Sequence, residues 1–150
     1  MAEEHITLSQ YITWFMAIIG WLITLIVARL VLRKNARNSW IGDIKKSLIE
    51  LEDESIIFWM GPNSNTDLLE LKKLRRKIKE ITALAMEIKE YGGPDYPKHL
   101  YLQLRQSVTT EKYHQDNLDM LKRNLPSDDD RINTISDICS DLRVHYRRER

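Results

Sequence analysis

Six cationic side chains fall within eight consecutive positions: Lys72, Lys73, Arg75, Arg76, Lys77 and Lys79. This is the densest chemistry in the chain. Leu71, Leu74 and Ile78 are interleaved with them at helical spacing, so one face is apolar and the other cationic. Such a face suits an anionic lipid leaflet, where each cation gains about 1 kcal/mol. It equally suits an acidic protein surface or nucleic-acid phosphates. The plain alternative is a solvated face balanced by Glu70, Glu80 and Glu87 on neighbouring turns. No aromatic ladder or RNA-binding signature accompanies the cations, which makes nucleic acid the weakest of these partners.

Other reactive groups are sparse. Glu111 and His114 have the E-x-x-H spacing of di-iron bundles, but those sites need a second such pair and two more glutamates. His99 and His145 follow Tyr96 and Leu142 at that interval and cannot supply it. Asp128, Asp129 and Asp130 lack the later glycine and glutamate of a calcium loop, and suit the amino-terminal end of a helix instead. Cys139 stands alone, so an internal disulfide is excluded, and its place beside Ile138 reads as a small buried hydrophobe. The chain has no G-x-S-x-G, no phosphate-binding glycine loop and no H-E-x-x-H. No enzymatic activity, cofactor or bound metal is expected.

The elements that must carry these groups begin with a membrane candidate. Residues 6–28 contain no charge, and four cations follow at Arg29, Arg33, Lys34 and Arg37. The strongest stretch, residues 12–32, covers about 32 Å as a helix, enough for the hydrocarbon core of a bilayer. Only Glu3, Glu4 and His5 precede it, so the positive-inside bias puts the amino terminus outside and the rest in the cytoplasm. The acidic start and the missing small-x-small site favour an uncleaved anchor over a signal peptide. Tyr11, Trp14 and Trp40 are expected at the two interfaces. Gly20, Thr24 and Ala28 recur every four residues, the spacing at which small side chains let two spans approach.

Residues 35–150 carry 20 acidic and 20 basic residues, a neutral balance for one small domain. Its apolar periodicity predicts four helical segments. The first, residues 41–58, buries Ile41, Ile44, Leu48, Leu51 and Phe58 and stops at Gly61-Pro62. The second, residues 66–91, buries Leu71, Leu74, Ile78, Ile81, Ala85 and Ile88, with Ser64 and Asp67 as a capping box and Gly92-Gly93 as the stop. The third, residues 96–125, starts a stripe with Tyr101, Leu104 and Val108 and finishes one with Leu118, Leu121 and Leu125, and its polar middle makes it one helix or two. The fourth buries Ile132, Ile135, Ile138, Cys139 and Leu142. Phe58, Trp59 and Met60 form either a core cap or an exposed docking patch.

The expected fold is all-α: one amino-terminal transmembrane helix and a cytoplasmic antiparallel helical bundle of about four helices with some coiled-coil character. The expected divisions are an outer segment 1–11, a span 12–32, a basic juxtamembrane stretch 33–40 and a helical domain 41–150. These features point to a single-pass adaptor or regulator of the plasma or inner membrane, acting by protein–protein interaction. The alternative is a membrane-perturbing oligomeric effector of toxin, phage-defence or lysis type, assembled through the Gly20 face.

Overall fold

The computed structural model describes residues 8–109 and 123–147. Their regular structure is entirely helical: α1 (Leu8–Met60), α2 (Asp67–Glu90), α3 (Lys98–Thr109) and α4 (Asp130–His145). The chain divides into two compact units, Met1–Ala36 and Arg37–Arg150. One expectation needs correction. The apolar stretch and the segment from residue 41 are not separate helices, because α1 runs through both, the basic stretch 33–40 included. Gly42 lies inside it, since a lone helical glycine costs only about 1 kcal/mol against alanine.

In the first unit, α1 leaves its apolar side chains uncovered. The most apolar 18-residue window has no buried part, and Trp14 and Trp21 are 74% and 73% exposed. It is long and apolar enough to cross a membrane. The hydroxyls of Thr13 and Thr24 donate to the carbonyls of Ser9 and Gly20 at 2.9 and 2.8 Å, so each is satisfied by its own helix.

The second unit closes a core of its own. Apolar faces expected from periodicity are buried: Ile41 to Phe58 on α1, Leu71 to Ile88 on α2, Tyr101, Leu104 and Val108 on α3, and Ile132 to Leu142 on α4; Leu125 is half-buried, and Leu118 and Leu121 lie outside the described residues. Cross-links set the directions. Arg37 reaches Gly92 and Glu54 reaches Lys77, so α2 runs antiparallel to α1. Glu52 pairs with Arg143, and Arg131 lies over Trp59, so α4 is antiparallel to α1 as well. Tyr101 meets Tyr146 near opposite ends of α3 and α4. The result is an up-down-up-down bundle with α3 packed directly on α2 and α4.

Helix ends explain why the turns fall where they do. α1 stops before Gly61-Pro62, and the chain from Arg123 to Leu125 supplies partners for its final carbonyls. Leu125 N–H donates to Trp59 at 3.0 Å, Asn124 N–H to Gly61 at 2.9 Å and Arg123 Nε to Phe58 at 2.6 Å. Asn124 takes φ +66°, a left-handed conformation that asparagine tolerates. α2 ends in a Schellman arrangement: Gly92 at φ +79° donates to Lys89 and Gly93 donates to Ile88. The expected capping box is half formed. Asp67 accepts from the Ser64 N–H at 3.0 Å, but Thr66, not Ser64, is the cap residue, and the Ser64 hydroxyl lies on Thr66. At α4, Asp129 is the cap and accepts from Arg131 N–H at 2.8 Å.

Trp40, expected at an interface, is half-buried against the core and meets Tyr91 edge-on with centroids 4.9 Å apart. Of the expected third segment, the described part is a helix only through Thr109. Glu111, His114 and the polar middle lie outside the described residues.

Candidate functional site

The basic face of α2 follows from its apolar register. With Leu71, Leu74 and Ile78 turned into the core, Lys72, Lys73, Arg75, Arg76 and Lys79 face outward and are exposed. Lys77 sits at the edge, and its Nζ is 2.6 Å from Glu54 and 3.6 Å from Glu50 of α1. The hydrogen bond that Lys77 donates to Glu54 raises its pKa above the ordinary lysine value. Arg76 meets Glu80 at 3.5 Å on its own helix. The balancing carboxylates for Lys77 are thus on α1, a partnership that spacing along α2 alone does not reveal. Among the described residues, Lys72, Lys73, Arg75 and Lys79 have no ion pair.

Beside this face α2 and α3 enclose a groove of about 560 Å³. Arg75 and Lys79 line it from α2, and Lys98 and Arg105 from α3. No aspartate or glutamate is among its lining residues. Ile78, Met86 and Leu102 give it an apolar base. At one end Tyr96 stacks on Tyr101 with centroids 4.8 Å apart. The Tyr101 hydroxyl turns inward and donates to Tyr146 at 3.3 Å. Burial raises the pKa of both phenols above the usual tyrosine value. Lys98 and Arg105 are members that the linear cluster missed. They lie on a different helix, and only their seven-residue separation, two turns on one face, hints that they belong together.

The remaining candidates resolve differently. Phe58 and Trp59 are interior, and the Trp59 indole N–H donates to the Val108 carbonyl at 3.2 Å. Arg123 and Arg131 lie over their rings at 4.3 and 4.0 Å from the centroids. Only Met60 reaches solvent, so these three residues do not form the docking patch that the sequence allowed; large aromatic rings next to a helix end were drawn into the core instead. Cys139 is fully buried, and desolvation pushes its thiol up to about 12, far from an activated nucleophile. At Gly20 an added Cβ meets nothing within 4 Å, and Thr24 is tied back to the same turn. Among the described residues, no group of three or more His, Cys, Asp or Glu is arranged to hold a metal ion. His145 Nε2 donates to the Asp95 carbonyl at 2.7 Å and so serves the fold.

Compared with known protein families, curated proteins and solved structures, the chain matches none. Geometry and chemistry therefore carry the functional reading.

Proposed function

We propose that this chain is a single-pass membrane protein whose helical domain recruits a protein partner, as an adaptor or regulator. The supporting observation is the contrast between the two units. A soluble core helix hides its apolar side chains, whereas residues 12–32 leave theirs uncovered and tie their threonine hydroxyls back to the backbone, as hydrocarbon demands. The second unit completes its core without that stretch. The charge bias around the span favours an outside amino terminus and a cytoplasmic bundle. The span gives the address, and the cationic α2 face gives a surface for contact.

The decisive experiment is crosslinking and co-purification of the full-length protein from its native membrane, followed by mass spectrometry. One stoichiometric partner supports recruitment. A ladder of homo-oligomers without a partner supports the oligomeric effector instead. Because an added side chain at Gly20 has open space around it, Gly20→Ile then separates the cases: it disperses a ladder built on that face and leaves a partner complex intact. Alkaline carbonate extraction tests the address itself, and release of the full-length chain into the supernatant overturns the span.

A further inference from the structure

We propose that the groove between α2 and α3 docks an acidic amphipathic helix belonging to the recruited partner; this rests on the recruitment reading above. Two facing rims carry the charge. Arg75 and Lys79 are one turn apart on α2, and Lys98 and Arg105 are two turns apart on α3. Among the described residues, no carboxylate neutralises Arg75, Lys79 or Lys98, so each keeps its full field for a ligand. Between the rims, Met86 and Leu102 are 48% and 47% exposed, although they stand beside the buried Ile78 and Tyr101. An apolar centre inside a charged rim is the anatomy of a protein interface.

The shape selects the occupant. From Arg75 to Met86 the groove follows about 16 Å of α2, roughly three helical turns, with cations near both ends. A small inorganic anion leaves the apolar base wet. A helix laid between two helices places apolar residues at i, i+3, i+4 and i+7 along the base, and its flanking carboxylates meet the rims. Such pairing also steers encounter and repels basic competitors. The bundle would gain one further, intermolecular helix.

The test places a photo-crosslinking amino acid at Leu102 or Met86 of the full-length protein in its native membrane. Control positions Ile57 and Val144 are exposed on α1 and α4, away from the groove. Both groove positions are expected to crosslink to one acidic amphipathic segment of one protein. The double substitution Arg75→Glu, Lys79→Glu is expected to cut that yield at least tenfold, and changing acidic residues of the partner segment to lysine is expected to restore it. Adducts to lipid alone, to nucleic acid, or to a segment without acidic residues overturn the proposal, as does a yield unmoved by charge reversal. So does saturable binding of tripolyphosphate that blocks crosslinking at constant ionic strength. Partner adducts confined to Ile57 or Val144 reject the groove but leave recruitment standing, whereas no partner adduct at any position rejects both.

Discussion

At the residue scale, the most consequential pair is one that spacing along the chain does not suggest. Asp67 opens α2, and Arg123 lies beyond α3, yet their side chains form an ion pair that is almost fully enclosed, at 12% and 6% exposure. Arg123 also donates to the Phe58 carbonyl and covers the Phe58 ring. Removing one partner of an enclosed pair strands the other charge. Arg123→Ala is therefore expected to destabilise the bundle by about 3 kcal/mol in urea unfolding. Adding Asp67→Asn should recover part of the loss, and two additive costs would deny the coupling. A second expectation concerns alkaline pH. Burial raises the pKa of Tyr101, Tyr146 and Cys139 in the folded state, while the unfolded chain releases these protons near ordinary values. Above those values the unfolded state binds fewer protons, so stability falls as pH rises from about 9. Tyr101→Phe with Tyr146→Phe should flatten that fall between pH 9 and 11, measured by urea midpoints. An unchanged slope would deny the two phenols this role.

At the element scale, the apolar stripes were legible because burial follows a 3.6-residue period, and every residue assigned to those stripes on α1, α2, α3 and α4 is interior. Helix ends were less legible. Gly92-Gly93 was recognisable as a stop, but its Schellman geometry and the Arg37 side chain resting on the Gly92 carbonyl at 2.7 Å are tertiary facts. Arg37, read from the sequence as an orientation charge, thus also caps α2. A Cβ at Gly93 would come within 2.5 Å of the Ile88 side chain and 2.8 Å of its carbonyl oxygen. Gly93→Ala is expected to cost about 1–3 kcal/mol by thermal or urea unfolding, as overpacking does. A cost near zero would mean that the turn re-forms without Ile88. The merger of two expected helices into α1 has a related cause: no proline interrupts residues 8–60, and Gly42 alone is too weak to break it.

At the scale of the whole molecule, the division between the units makes its own prediction. The second unit buries its apolar faces against one another, and among the described residues its core members all lie within residues 40–146. A fragment of residues 37–150 is expected to be helical by circular dichroism and to unfold in one cooperative transition, with Trp59 emission shifting to the red. A fragment that stays expanded, or melts without cooperativity, would show that the first unit is needed to complete the fold. The full chain, by contrast, should require detergent or lipid, because among the described residues the apolar side chains of the first unit are uncovered.

Local pattern decided the rest that the sequence could decide. The uncharged run with basic residues behind it, the four amphipathic periods and the glycine stops each depend on neighbours within a turn or two, and such neighbours are adjacent in the chain. The α2 cations were visible for the same reason. What joins them to Lys98 and Arg105 was not, because the groove exists only where α3 folds back along α2. Neutralisation of Lys77 by Glu54, enclosure of Phe58 and Trp59, and the Asp67–Arg123 pair bring together residues 23 to 56 positions apart or more deeply packed than type alone implies. Charge and hydrophobicity are properties of single residues, but pairing and enclosure belong to surfaces that meet in space, and only the packed bundle assigns them.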